Sequence, residues 1–359
     1  EYIEAGHDPL AEYAPAGASP TPNHLPASDT RIEILRQKWI EANLAFDGIK
    51  ADEVLDQALA IYPIETVCTA ILQQGISAIG NSWYLDQASV QQEHFASALA
   101  SRRLNALFAM APAPTRPGRM LAACPPGETH DLSLLMMSFI LRWRGWEVTY
   151  LGANVPLARL DATLQSTKPR MVLSVAQTLP GVAALKEMAA YVNSLNTPLA
   201  FGGGIFNNIP ALSERIPGHF LGLELNAVPQ VIERLLSHPF PSPLPAPLPA
   251  DYQTALEGFK EKEALVVTSV HQALLHGPFD PRHLDEANQN LTRSIVSALS
   301  LGDMRFLDRS VGWLRGLLEN YGLSPALASL YYAAYRQAVE KHLGSQARPV
   351  LDYLAEAEP

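Results

Sequence analysis

Between residues 29 and 112 apolar positions recur at spacings of three and four: Ile32, Leu35 and Trp39 form one stripe, Leu55, Ala58 and Leu59 a second, and Val67, Ile71, Leu72 and Ile79 a third. That period puts the apolar side chains on one face of a helix, and it predicts four antiparallel helices. From 113 to 237 the period changes. The short, largely apolar runs RMLAAC, WEVTYLG, MVLSVA, PLAFGG and HFLGLEL alternate with helical stretches. Such alternation predicts a parallel sheet with helices on both faces.

Proline then takes over: HPFPSPLPAPLPA carries it at 239, 241, 243, 245, 247 and 249. Repeated proline fixes an extended spacer and forbids both helix and central strand, so residues 238–250 are read as a linker. Residues 251–359 form a third region, helical in pattern through about 345, with RPVLDYLAEAEP as a tail that extends or caps it. At the other end, YAPAGASPTPNHLPAS has no period, and residues 1–28 are read as a linker holding the tail of a preceding module.

Composition narrows the function classes. The 359 residues are 48% hydrophobic and 17% charged, enough to bury several cores. A formal net charge of -10 argues against a surface built to neutralise phosphates, so nucleic-acid binding is expected only through a preceding module. Cys68 and Cys124 are the two cysteines, too few for a disulfide framework or a thiolate metal site, which fits a reducing cytoplasm. No apolar run approaches the roughly 20 residues that span a bilayer, so no membrane segment is expected.

Chemistry concentrates after the first β-rich run, in CPPGETHDLS, residues 124–133. An ordinary strand-to-helix turn would explain Glu128 and Asp131 as helix-start acids and His130 as a solvated side chain. Position argues otherwise, because open parallel sheets bind ligands beyond the carboxyl ends of their strands. A neutral imidazole is a good transition-metal ligand, and a carboxylate two residues earlier can hold its other ring proton. No nearby Cys or second His completes a zinc set, so a metal on His130 would take most of its ligands from a macrocycle.

GETHDLS resembles the D/E-x-H-x-x-G signature of cobalamin-binding domains, which are Rossmann-like, or flavodoxin-like, α/β folds. The resemblance implies His130 as the lower cobalt ligand and Glu128, Thr129, Asp131, Leu132 and Ser133 along the cofactor loop. Ser133 departs from the motif's usual glycine, which permits close approach of backbone to corrin. Two further pieces recur in family order, Ser174 in MVLSVA and the pair Gly202 and Gly203 in AFGGG. The resemblance implies that Ser174 continues the hydrogen-bond chain from the acid and that the glycines leave room for the nucleotide tail.

The helical unit upstream adds an independent match. In NSWYLDQASVQQEH, Trp83 is followed after nine residues by Glu93 and His94. Each of these residues alone is more commonly a core tryptophan or an exposed polar group. Together they match the W-x9-EH pattern of CarH-type and LitR-type cobalamin photoreceptors, over roughly residues 29–237. The resemblance implies a four-helix cap at 29–112 over a cobalamin domain at 113–237. Trp83 and Glu93 would cover the adenosyl group of adenosylcobalamin, and His94 could reach cobalt after photolysis. It also implies a light sensor rather than an enzyme, with light-dependent assembly of a homo-oligomer. The opening YIEAGHDPLAEYA is similar to the end of a MerR-type DNA-binding domain. The alternatives are a cobalamin-dependent methyl-transfer or other enzyme component, and a photoreceptor regulating transcription whose last domain only dimerises. Against the first, no eight-fold βα pattern is present for a mutase barrel.

After the proline spacer, Phe306 and Trp313 are expected on one helix and Tyr331, Tyr332 and Tyr335 on the next, with the turn YGLSP between them. Spacing of this kind usually means core. Arg305, Arg309, Arg315 and Arg336 are interspersed and could pair with tetrapyrrole propionates. The layout resembles photocobilins, which join a cobalamin domain to a globin-like helical domain carrying biliverdin. On that resemblance Arg309, Trp313, Tyr331 and Tyr335 are candidate bilin contacts. A bundle for dimerisation, without ligand, is the rival.

Overall fold

The computed structural model describes residues 29–84, 87–238, 241–275, 277, 281–308 and 326–357. The expected leading linker, Arg309, Trp313, Arg315 and the YGLSP turn lie outside these residues. The chain divides into two compact units, one built mainly of residues up to 244 and the other mainly of Pro245 onward.

The first unit begins with a helical cap. Helix α1 (Thr30–Leu44) starts at Asp29, whose carboxylate accepts from Arg31 N–H, and it buries Leu35 and Trp39. It is followed by α2 (Gly48–Leu59) and α3 (Ile64–Val67). A π-helical stretch, Cys68–Gln73, then leads into α4 (Gln74–Tyr84), so the third predicted helix is one rod with a widened turn inside it. Helix α5 (Val90–Met110) opens with a reciprocal capping box between Ser89 and Gln92. A β-carbon at Gly75 would come within 2.7 Å of the Trp39 ring, so that glycine lets the rod pack on the indole.

Five parallel strands follow: β1 (Arg119–Ala123), β2 (Glu147–Gly152), β3 (Met171–Val175), β4 (Leu199–Gly202) and β5 (His219–Phe220), in the order β2-β1-β3-β4-β5. The strand order reverses between β1 and β3, and that is where a crevice opens at the carboxyl edge of such a sheet. The expected parallel α/β fold with a helical cap and a helical C-terminal region is therefore present. The last strand is shorter than the run HFLGLEL suggested. Gly222, at φ +88°, turns the chain after Leu221, and Leu225–Ala227 is a 3-10 turn.

Helices α6 (Leu132–Trp143), α7 (Leu160–Thr167), α8 (Leu179–Ser194), α9 (Gly204–Asn208) and α10 (Val228–Ser237) complete the α/β fold. Helix α6 is apolar all round, and two cores share it. Leu132, Leu135, Met136, Phe139 and Ile140 pack with the cap, whereas Leu134, Met137 and Leu141 pack with the sheet and Ile232 of α10.

In the second unit, helices span Ala250–Leu274, Pro281–Leu301, Ala326–Leu343 and Arg348–Ala357. Within the RPVLDYLAEAEP tail, Arg348–Ala357 thus form a helix of their own. Phe306 falls in a 3-10 turn, Met304–Leu307, rather than on the longer helix the pattern predicted. Asp303 caps the start of that turn, accepting from Arg305 N–H and pairing with the Arg305 guanidinium.

Candidate cofactor site

The loop after β1 is pinned on both sides of the reversal point. On the β2 side, Asn154 Oδ1 accepts from Gly127 N at 2.8 Å, and Asn154 N donates to the Glu128 carbonyl at 2.8 Å. Asn154 does this from the left-handed region, φ 51°, which asparagine tolerates better than most residues. On the β3 side, Gln177 N donates to Glu128 Oε2 at 2.8 Å.

Within the loop, Glu128 Oε1 meets His130 Nδ1 at 2.7 Å and also accepts from His130 N at 3.0 Å. Glu128 is 1% exposed and His130 8%, so neither is the solvated side chain of an ordinary turn. Burial alone would raise the Glu128 carboxyl, but the hydrogen bonds from the His130 ring, Gln177 N and His130 N outweigh it and hold the carboxyl below its ordinary range. An ionised Glu128 makes Nδ1 the donor and leaves the imidazole lone pair on Nε2. The Nε2 atom is buried and has no hydrogen-bond partner. This is the arrangement in which a second carboxylate fixes the tautomer of a metal-binding histidine. Among the described residues no group of three or more His, Cys, Asp or Glu could hold a metal ion, so a metal at Nε2 would be brought with its own ligands.

Asp131 serves the loop differently. Its Oδ2 accepts from the Tyr150 hydroxyl at 2.7 Å, and its side chain makes no cap bond to α6. Burial and that carboxylate push the Tyr150 phenol well up, so it stays protonated as the donor. Thr129 is exposed and Leu132 buried. Ser133, at the glycine position of the motif, accepts a hydrogen bond from Gln177 Nε2.

The structure places Ser174 and the glycine pair as follows. Ser174 is buried, but its hydroxyl faces Met188 Sδ at 3.9 Å, and the acid's partner from the β3 end is the backbone N–H of Gln177 instead. The strand's alternation turns position 174 toward α8, away from the loop. The two glycines do different work. At Gly203, φ +130°, a β-carbon would sit 1.9 Å from the Ala176 carbonyl oxygen, so the ends of β3 and β4 approach as only glycine allows. At Gly202, itself buried, a β-carbon would meet nothing within 4 Å. Open space beside a buried residue at the strand's carboxyl end is what a penetrating ligand needs.

In the cap, Glu93 is buried and accepts from Ser97 Oγ at 2.6 Å, whereas His94 is exposed and Trp83 partly exposed. Trp83 closes α4 and Glu93 lies in the first turn of α5, on either side of one connection. Tyr331 and Tyr335 are core residues of the second unit. The Tyr331 hydroxyl donates to Asn288 Oδ1 at 3.0 Å, and Tyr335 shares a hydrogen bond with Thr292 at 2.6 Å. Arg305 is spent on Asp303.

Sequence reasoning missed Gln177, Asn154 and Tyr150. Only Asn154 left a signal, an asparagine two residues past a strand-ending glycine.

Residues 118–231 match a family model described as a B12 binding domain, and residues 35–108 match a second model with the same description. Both halves of the first unit thus match B12 binding domain models. They support a cobalamin cofactor, and the site fits one: an oriented imidazole, no competing protein ligand set among the described residues, and open space at Gly202. Among curated proteins, the chain is 34% identical over 148 residues to the HTH-type transcriptional repressor CarA of Myxococcus xanthus, covering 41% of this chain and 49% of that one. It is 32% identical over 164 residues to the repressor CarH of the same organism, covering 45% and 52%. The chain thus spans about half the length of these relatives. A methanol–corrinoid protein of Methanosarcina barkeri is 30% identical over 96 residues, covering 26% and 37%. Among solved structures, the monomethylamine corrinoid protein of Methanosarcina barkeri aligns over 58% of this chain and 100% of that one, at TM-score 0.46 and 16% identity. Among the described residues no helix is long and apolar enough to cross a membrane.

Proposed function

We propose that the chain is a light sensor that binds adenosylcobalamin, with His130 as the lower cobalt ligand. The buried Glu128–His130 hydrogen bond at the sheet's reversal point carries this reading, because it spends Nδ1 and turns the imidazole into a one-point ligand. Bound cobalamin supplies a cobalt–carbon bond that light can cleave. The chain's own residues do the rest. Glu128 holds the ring proton, Gln177 and Asn154 hold the loop, Gly202 leaves room for the nucleotide tail, and Gly203 lets the ends of β3 and β4 approach. Trp83 and Glu93, from the W-x9-EH pattern, cover the upper ligand, and His94, the residue after Glu93 on α5, is the imidazole proposed to reach cobalt once that ligand is gone. Loss of the adenosyl group removes contacts that distinguish a closed cap from an open one, and a change of assembly is the expected output.

The test is a visible spectrum of the full chain reconstituted with adenosylcobalamin, in darkness and after green illumination. The wild type should show an irreversible light-induced change with a shift in molecular size. His130→Ala should bind more weakly or give the spectrum of cobalamin without a protein ligand. The same spectrum and affinity in that variant would refute the axial assignment.

Likeness to the methanol–corrinoid protein favours a second reading, a carrier in methyl transfer. Steady methyl transfer in darkness, with no light-dependent change of size, would select it. Biliverdin binding by the second unit rests on the resemblance alone. An intense red band on adding the pigment to the full chain, absent without it, would support it.

A further inference from the structure

We propose that Gln177 is a positioning residue that couples the axial-ligand loop to the glycine turn after β4, so that cobalt ligation by His130 and seating of the nucleotide tail strengthen each other. This rests on the cobalamin reading above. Gln177 is buried, and every polar group it uses reaches a different part of the site. Its backbone N–H holds Glu128 Oε2, the carboxylate that orients the imidazole. Its Nε2 donates to Ser133 Oγ in the first turn of α6. Its Oε1 accepts at 2.6 Å from Gly204 N, the first amide of α9 and the residue directly after the glycine pair.

The turn it grips cannot move by itself. Ala176 N donates to the Gly202 carbonyl at 3.1 Å, and Gly203 lies against the Ala176 carbonyl too closely to admit a β-carbon. A tail entering the open space at Gly202 therefore bears on a turn that Gln177 ties to Ser133 and Glu128. The departure from glycine at 133 belongs to the same device: a glycine there would leave Nε2 of a buried amide without its acceptor. A residue that merely filled space would not need both ends of a carboxamide engaged.

Cobinamide, which has the corrin but no nucleotide tail, separates the two halves. Dissociation constants of cobalamin and cobinamide are measured for the full-length wild type, His130→Ala, Gln177→Ala and the double variant. Couplings between sites of this kind run to about 5–150-fold. In the wild type, His130→Ala should weaken cobalamin binding by about tenfold more than cobinamide binding, and in the Gln177→Ala background, which loses the side-chain bonds to Ser133 and Gly204 but keeps the backbone bond to Glu128, that ratio should fall clearly below the wild-type value. Gln177 as simple filling would lower both affinities together and leave the ratio intact, and that result overturns the proposal. So does a wild-type ratio near one. Should Gln177→Ala fail to fold by circular dichroism, Ser133→Ala removes one anchor and should lower the ratio part-way; an unchanged ratio there overturns the proposal as well. Failure of the wild type to bind cobalamin at all would instead overturn the cobalamin reading itself.

Discussion

Two adjacent glycines should give opposite phenotypes. Gly203→Ala puts a side chain at φ +130°, where L-residues are strained by about 1–3 kcal/mol. Its β-carbon would also lie 1.9 Å from a backbone oxygen, which no rotamer change relieves, so β3 or β4 must shift. Overpacking of that sort adds roughly 1–3 kcal/mol. The sum, about 2–6 kcal/mol, is a large part of the roughly 5–15 kcal/mol that stabilises a typical domain. Gly202→Ala meets nothing within 4 Å and has no unusual φ. Its effect on folding should stay within about 0.5 kcal/mol. Its methyl group, however, occupies the space assigned to the tail, so cobalamin affinity should fall about tenfold or more, equivalent to about 1.4 kcal/mol. Urea unfolding of the ligand-free chain reads the first quantity, with slopes of about 1–3 kcal/mol per molar, and equilibrium titration with cobalamin reads the second. Equal folding losses in the two variants, or full affinity in Gly202→Ala, would refute this division of labour.

Glu128→Ala leaves the His130 ring N–H and two backbone N–H groups facing a cavity without an acceptor, and should cost about 1–3 kcal/mol or more in denaturant unfolding, the penalty for buried donors left unsatisfied. Tyr335→Phe strips the Thr292 hydroxyl of its partner inside the second unit, and should lower stability by about 1–3 kcal/mol without altering cobalamin affinity. Arg144→Ala breaks an ion pair with Glu65 that joins the end of α6 to the cap, but the guanidinium is half exposed, so the loss should remain below about 1 kcal/mol at ordinary salt. A thermal shift well beyond that would mean the pair is better shielded than its exposure indicates.

What the sequence revealed and what it hid follow one physical distinction. The cap and the alternating strands were legible because period is a local property, and so was the Glu128–His130 pairing, whose members are two residues apart. The apolar run after residue 219 misled because apolar content does not measure strand length, and Gly222 ends pairing at Phe220. Gln177 was invisible for the opposite reason. Its partners Glu128, Ser133 and Gly204 lie 49, 44 and 27 residues away, so only the strand order brings them together. Ser174 lies on β3 with its hydroxyl facing Met188 rather than the loop, since a strand's two faces alternate and a motif does not state which face a residue takes.

Helix α6 explains why the cap and the cofactor loop need not be treated as separate devices. One face is covered by the cap core through Leu135, Met136 and Phe139, and the other by the sheet core through Leu134, Met137 and Leu141. Its first turn carries Ser133, bonded to Gln177, and the residue after its end, Arg144, is paired with Glu65 of the cap. Cores packed to crystal-like density do not deform continuously. On the proposed light-sensing reading, a cap that lost an upper-face ligand would therefore either keep its grip on α6 or release a whole apolar face. That choice between two packings is the kind of element the proposed switch would use.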